Sequence, residues 1–176
     1  MIKTVTQIRD ELADREAIRD VILRYCRASD RADAELLRSV YWPDAHDDHL
    51  EFSGDAEAFI AYSIPILQAM RYNMHQIGNM LIVIDGPRAE AESYFHAYHS
   101  LEHEGSRRDT FSGGRYLDVF EKRHDEWRIL KRFVTVEWFR DLPDTGDWER
   151  GPFGMSVVRG DLKPADKSYD FFTLLG

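Results

Sequence analysis

Hydrophobic positions in the first thirty residues recur at spacings of three and four, the period of an amphipathic helix with one face in a core. The residues on this face are Ile8, Leu12, Ile18, Val21, Ile22 and Tyr25. The pattern predicts one long helix that leads directly to Asp30. A second, short helix is predicted across 34–40, and a third across 55–70, with Pro65 expected to kink or interrupt it.

From His75 onward the pattern changes to that of strands. The predicted strands are 80–84 and 88–101 in a first hairpin and 113–123 and 127–139 in a second. The turns fall at 85–87 and 124–126, where Gly, Pro and charged residues interrupt the apolar pattern. Helices first and long antiparallel strands later indicate an α+β fold in which a curved antiparallel sheet wraps around the N-terminal helices.

Length and composition fit one domain with a core of its own. The chain has 176 residues, 43% of them hydrophobic, and its apolar runs fall short of the roughly 20 residues that span a bilayer. The N-terminus does not resemble a signal peptide, so a cytoplasmic location without membrane contact is expected. A net charge of -9 argues against nucleic acid as a partner, because phosphate binding relies on clustered Lys and Arg.

The region after residue 142 differs in character from the rest. We expect residues 1–142 to form the domain and residues 143–176 to form an irregular tail, rich in Gly and Pro, that packs on the domain or on a partner subunit. Its aromatic residues favour burial over disorder. These residues are Trp148, Phe153, Tyr169, Phe171 and Phe172. The single cysteine, Cys26, lies in the helical pattern and is expected to be a small core residue.

Asp30 and His75 are the residues that most suggest chemistry. A carboxylate that holds an imidazole in one tautomer makes it a positioned base near neutral pH without any metal or cofactor. His99 is a further candidate, because strand alternation over 88–101 places it on the smaller, more apolar face, whereas His96 lies on the other face. The alternative for these histidines is a structural role through hydrogen bonds in the core.

One short segment of the chain contains the residue types that bind metal ions. Five potential ligands crowd one short segment: Asp44, His46, Asp47, Asp48 and His49. His46 with Asp48, or Asp47 with His49, supplies two ligands, but a third and fourth at usual spacings are not evident, so an acidic strand start or turn is the preferred interpretation. The sequence also contains no P-loop, dinucleotide-binding motif or zinc-binding HExxH. We therefore predict neither a metal nor a cofactor.

Several motifs together resemble a known family. They are Tyr-Trp-Pro-Asp-Ala at 41–45, Met-His-Gln-Ile-Gly-Asn at 74–79, Gly-Gly-Arg-Tyr-Leu-Asp-Val-Phe-Glu-Lys-Arg at 113–123 and Glu-Trp-Arg-Ile at 126–129. In this order they resemble the SnoaL-like branch of the nuclear-transport-factor-2-like superfamily, which includes scytalone dehydratase and hexachlorocyclohexane dehydrochlorinase. The resemblance implies a cone with one deep pocket and assembly as a homodimer or homotrimer.

The resemblance also implies roles for individual residues. Asp30 matches the family's carboxylate after the first helix, and His75 matches the histidine that this carboxylate orients to remove a proton. His99 falls near the dehydratase's second histidine and His49 near a pocket tyrosine, while Arg132 matches a pocket arginine of the dehydrochlorinase. The residue before Asp30 is a serine where the dehydratase has a tyrosine, so a different substrate is expected.

Aromatic side chains complete the expected pocket, although each of them is also compatible with a core position. The residues expected to bind substrate are Tyr25, Trp42, His49, Phe52, Tyr116, Arg132 and Trp138. The sequence thus predicts a cofactor-independent lyase, a dehydratase or similar enzyme, for a hydrophobic aromatic or alicyclic molecule. The alternatives are an isomerase or cyclase like ketosteroid isomerase and the polyketide cyclases, a non-catalytic small subunit of an aromatic-ring-hydroxylating dioxygenase, and a ligand-binding domain.

Overall fold

The computed structural model describes residues 3–147, 150–151, 154–155 and 157–174. The helices and strands are α1 (Val5–Arg31), α2 (Ala34–Ser39), β1 (Tyr41–His49), β2 (Phe52–Asp55), α3 (Ala56–Ala69), β3 (Tyr72–Asp85), β4 (Arg88–His103), β5 (Ser106–Arg123), β6 (Glu126–Pro143) and α4 (Ser168–Phe171). The strands form one open sheet in the order β2-β1-β6-β5-β4-β3. The predicted α+β class, with a curved sheet and N-terminal helices, is confirmed.

The long first helix begins and ends at clear signals. Thr4 and Gln7 form a reciprocal capping box at its start, and Ala32 adopts a left-handed conformation after its last turn. The middle and C-terminal turns of α1 bury the predicted apolar face, including Ile18 and Ile22. Leu12, in contrast, is exposed, so the apolar stripe of α1 is longer than the core that this chain builds.

Three features differ from the sequence prediction. The strands β1 and β2 were not predicted, because β1 carries a charged outer face and pairs in parallel with the distant strand β6. The α3 helix is not interrupted at Pro65, since Phe59, Ile60 and Ser63 on its buried face anchor it to the domain. The sheet is therefore mostly, but not entirely, antiparallel.

The Gly-Gly motif has a specific structural cause. The register of β5 against β6 shifts between Gly113 and Gly114. A Cβ atom on Gly114 would lie 1.9 Å from the carbonyl oxygen of Thr135, so this close approach of two backbones requires glycine. Beyond the shift, Tyr116 and Asp118 are both buried on the inner face of the sheet.

The described part of the tail contacts the end of α1. The Lys163 backbone N–H donates to the carbonyl of Arg31, and the Tyr169 hydroxyl donates to Asp33. Phe171 and Phe172 are exposed, contrary to the expected burial of the tail aromatics, while Trp148 and Phe153 lie outside the described residues. The division into a domain of 1–142 and a tail of 143–176 stays a prediction.

None of the helices in the described ranges combines the length and apolar composition that crossing a bilayer requires. Cys26 is buried in the core, as predicted, and burial raises the pKa of its thiol to about 12.

Candidate active site

Asp30 and His75 meet where the last turn of α1 lies against the start of β3. The Oδ1 atom of Asp30 is 2.7 Å from Nδ1 of His75, and Oδ2 accepts the His75 backbone N–H at 3.2 Å. Because an ionised carboxylate only accepts hydrogen bonds, the hydrogen of a neutral imidazole resides on Nδ1 and leaves Nε2 free to accept a proton. The His75 side chain is 10% exposed and that of Asp30 is 14% exposed, so little solvent competes for this contact.

His75 lines a cavity of about 400 Å³ between the helices and the sheet, within the range of small-molecule sites. The lining residues are Tyr25, Ser29, His49, Leu50, Glu51, Phe59, Tyr62, Ser63, Ile66, Leu67, Met70, His75 and His99. Much of the wall is apolar and comes from α3, while three histidines come from β1, β3 and β4. The cavity wall is thus mostly apolar and carries three imidazole rings.

His99 lies beside His75, with 5.2 Å between the ring centroids. Its Nδ1 is 3.0 Å from Oδ1 of Asn73, whose amide nitrogen donates to the carbonyl of Leu67. This second bond fixes the orientation of the amide, so Nδ1 of His99 donates and Nε2 is the acceptor. Burial lowers the pKa of His99 to about 4, and the neighbouring His75 contributes a smaller part of this shift. The ring is therefore neutral at neutral pH.

His49 approaches the cavity from β1, stacked on Phe59 with 5.1 Å between the rings. Its Nδ1 lies 3.5 Å from Oδ1 of Asp47, a carboxylate that is fully buried. The other oxygen of Asp47 accepts the Tyr41 hydroxyl at 2.5 Å. The arrangement places a second histidine with a buried carboxylate at the cavity wall.

Arg132 does not line the cavity, contrary to the expectation from the sequence. Its guanidinium group makes two 2.7 Å bonds to Asp118, and neither side chain is exposed. The guanidinium carbon lies 4.0 Å from the ring centroid of Tyr25 and 4.2 Å from that of Tyr116. Because Tyr25 stands between this ion pair and the cavity, Arg132 stabilises the core behind the site.

Other expected substrate-binding aromatics also lie outside the cavity wall. Tyr116 is buried against Phe95, with stacked rings 4.5 Å apart. Trp42 donates from its indole nitrogen to the carbonyl of Glu121, and Trp138 covers Gly113 on the outer face of the sheet, where it is 40% exposed. The geometry therefore assigns these three rings to packing.

Phe52 takes an intermediate position. It packs against Tyr62 and Phe59, two residues of the cavity wall, with 5.2 and 5.6 Å between ring centroids. It supports the wall without belonging to it. Among the residues expected to bind substrate, Tyr25 and His49 are the two that line the cavity.

Sequence reasoning missed the contribution of α3 to the cavity. Phe59, Ser63 and Ile66 recur at spacings of four and three and share one helix face. The periodicity signals a buried face, but it does not tell whether that face meets a core or a cavity. The five potential metal ligands of β1 divide between its two faces: Asp47 is buried, whereas His46 and Asp48 bond to each other in solvent.

Comparison with known proteins agrees with this architecture. Residues 10–133 match the model of the SnoaL-like domain family. Uncharacterized proteins of Mycobacterium bovis and Mycobacterium tuberculosis are each 26% identical over 129 residues, which cover 71% of this chain and 86% of the relative. Because these relatives are uncharacterized, they do not indicate a function for the cavity.

Solved structures share the fold. A hexachlorocyclohexane dehydrochlorinase of type 2 has a TM-score of 0.71 at 19% identity, with 83% of this chain and 98% of that chain covered. A protein described as a candidate scytalone dehydratase, from Novosphingobium aromaticivorans, has a TM-score of 0.67 at 20% identity, with 84% and 97% covered. At these identities the likeness establishes the fold alone.

Proposed function

This chain belongs to the SnoaL-like domain family, and we propose that it is a cofactor-independent lyase for a hydrophobic aromatic or alicyclic molecule. In this proposal, His75 removes a proton from carbon and Asp30 stabilises the imidazolium that forms. The observation that carries the proposal is the 2.7 Å contact between Asp30 and His75 at the wall of an apolar cavity. The dehydrochlorinase and dehydratase among the structural neighbours give the reaction type additional support.

The base is assigned to His75 because its partner is charged. When His75 takes up a proton, its imidazolium lies in contact with the oppositely charged carboxylate of Asp30. Little solvent reaches the site, so this attraction stabilises the protonated ring. His99 has the neutral amide of Asn73 as its partner, and its lowered pKa makes it a weaker base. We propose that His99 instead accepts a hydrogen bond from the substrate through Nε2.

The reaction then proceeds by proton abstraction and elimination. Nε2 of His75 takes a proton from a carbon next to a carbonyl group, and the C–H electron pair becomes an enolate. Expulsion of the leaving group with its bonding pair forms the carbon–carbon double bond. An isomerase would use the same first step and return the proton to another carbon, so the two outcomes differ in whether a group is lost.

The experiment is deuterium exchange from solvent into 1-tetralone, a bicyclic ketone with an acidic C–H, followed by NMR. We expect the wild type to catalyse exchange and His75→Gln to lose it by about 10²- to 10⁴-fold, with a much smaller change in ketone binding. Asp30→Asn is expected to lose nearly as much, since an amide orients the ring but supplies no charge. His99→Ala is expected to lose less.

His96→Gln serves as the matched control, because this histidine lies exposed on the outer face of β4. Equal exchange by the wild type and His75→Gln would remove His75 from the mechanism and favour a ligand-binding or subunit role. A cytoplasmic location and a homodimer or homotrimer remain predictions from the sequence.

A further inference from the structure

We propose that one segment of the tail, residues 160–169, is a clasp that holds Asp30 in position for His75, with Asp166 as its central positioning residue. The inference rests on the proposed function, because it adds a device that keeps the base and its carboxylate together. The clasp lies beyond residues 10–133, the part of the chain that matches the family model, so the family resemblance does not supply it.

The clasp binds the last turn of α1, which is the turn that carries Asp30. A helix ends with backbone carbonyls that have no partner within the helix. The backbone N–H of Lys163 donates to one of them, the carbonyl of Arg31, at 3.0 Å. One turn earlier, the guanidinium group of Arg27 donates to the Ser168 hydroxyl at 3.3 Å. The clasp therefore contacts α1 before and after Asp30 in sequence.

Asp33, just beyond the end of α1, gives the clasp a second attachment. Its carboxylate is buried, and the ammonium group of Lys163 lies 3.0 and 2.9 Å from its two oxygens. The Tyr169 hydroxyl donates to the same carboxylate at 3.1 Å. Because Asp33 also caps the start of α2, the clasp is attached to the junction of the two helices.

Asp166 connects the clasp to Asp30 itself. Its two carboxylate oxygens accept the backbone N–H groups of Ser168 and Asp161, at 3.0 and 2.9 Å. One of these oxygens lies 3.4 Å from Nε of Arg31, and Nη1 of Arg31 donates to the backbone carbonyl of Asp30 at 3.3 Å. A single side chain thus links the carboxylate of Asp166 to the backbone of Asp30.

The charge of Asp166 is what makes this link strong. The residue is 5% exposed, although most of its neighbours along the tail are exposed. Burial raises the pKa of Asp166, but hydrogen bonds from Ser168 and Asp161 outweigh it and lower the pKa to about 2, so the group is charged at neutral pH. Nε of Arg31 is buried and has no hydrogen-bond partner within ordinary limits among the described residues, so it depends on this nearby negative charge.

The clasp also limits the access of solvent to Asp30. A second cavity, of about 230 Å³, is lined by Asp30 together with residues 160–162 of the clasp, whereas His75 lines the larger cavity. Within the described ranges, the wall of that larger cavity contains no residue of the clasp. Because water weakens the attraction between charges, opening of the clasp would reduce the stabilisation of the imidazolium on His75 without removing a contact to the substrate.

The test is Asp166→Asn in the full chain. An amide offers one oxygen and one NH₂ group, so the N–H donors on one side of residue 166 lose their acceptor. We expect the turnover of solvent deuterium exchange into 1-tetralone to fall by about 10- to 100-fold with KM nearly unchanged, since the ketone loses no contact. Asp170→Asn is the matched control and should equal the wild type, because Asp170 is an exposed acid that pairs with Lys167 at the surface.

A spectroscopic readout separates positioning from general stability. The hydrogen between Nδ1 of His75 and Oδ1 of Asp30 is expected to give a downfield ¹H NMR signal in the wild type and in Asp170→Asn. We expect this signal to be lost through exchange with water in Asp166→Asn, while urea unfolding shows that the variant is folded. Lys163→Met removes the contacts with Asp33 and should act in the same direction; it decides the question if Asp166→Asn does not fold.

The outcomes for the clasp and for the proposed function are distinct. Either an unchanged turnover or an unchanged His75 signal in Asp166→Asn would overturn the clasp and leave the proposed function intact. Equal losses in Asp170→Asn would do the same. A wild type that catalyses no exchange would overturn the proposed function, and the His75 signal alone would then decide the clasp: its loss in Asp166→Asn supports the clasp, and its persistence contradicts it.

Discussion

Replacement of Arg132 by methionine is expected to destabilise the folded protein. The guanidinium group makes two bonds of 2.7 Å to Asp118, and both side chains are fully shielded from solvent. Methionine fills a similar volume but supplies no charge. The carboxylates of Asp118 and Asp47 would then remain buried without the cation that balances them.

The expected cost follows from this burial. Removal of one partner from a buried ion pair destabilises a protein by about 3–5 kcal/mol, because the remaining charge is desolvated without compensation. Domains are stable by about 5–15 kcal/mol in total, so the loss is a large fraction of what is available. At a urea dependence of about 2 kcal/mol per molar, the unfolding midpoint falls by about 1.5–2.5 M.

The measurement is urea unfolding followed by tryptophan fluorescence. The double variant Arg132→Met/Asp118→Leu should recover most of the loss, because it removes the unbalanced carboxylate together with the guanidinium group. Arg115→Met is the matched control: this arginine bonds to the surface residues Glu92 and Glu137, and we expect little change. A loss below about 1 kcal/mol in Arg132→Met would refute the charge argument. A folded variant that loses turnover alone would instead return Arg132 to the substrate site.

Three further predictions concern pH and assembly. The lowered pKa of His99, about 4 against 6.5, means that the unfolded chain binds a proton there first, so wild-type stability should fall from about pH 6.5 toward 4 more steeply than that of His99→Gln in urea titrations. Burial raises the pKa of Asp166, but bonds from Ser168 and the Asp161 backbone outweigh it and lower the pKa to about 2, so tail docking that is complete above pH 3.8 should weaken toward pH 2 in hydrogen exchange. The outer face of the sheet exposes Val83 and Phe133, and we expect Val83→Glu/Phe133→Glu to lower the mass seen by light scattering; a monomeric wild type at micromolar concentration would contradict the predicted oligomer.

The sequence by itself determined most local elements of this protein. The 3.6-residue period gave α1, and alternation along 88–101 placed Phe95 inside the sheet and Tyr94 outside, because side-chain direction is set by the local backbone. It also singled out Asp30 and His75, since a carboxylate at a helix end and a histidine at a strand start are recognisable without a fold. Their 2.7 Å contact across 45 positions in sequence required the packing of α1 on β3.

The tertiary structure alone decided which charged residues lie behind the site. A regular hairpin closed by the pair Arg123 and Glu126 would set Asp118 opposite Lys131, but a register shift between Val119 and Phe120 sets it opposite Arg132. A shift of one residue exchanges the two faces of a strand, so it turns an expected cavity arginine into a buried ion pair. No local pattern reports such a shift.

The same limit applies to the pair of Asp47 and His49. Along the chain, these residues are part of an acidic run that is equally compatible with a turn or a metal site. Parallel pairing of β1 with β6 turns Asp47 into the core, with Arg132 as its register partner across the sheet. Because that pairing joins segments 85 positions apart, its energy comes from contacts that only the folded chain forms.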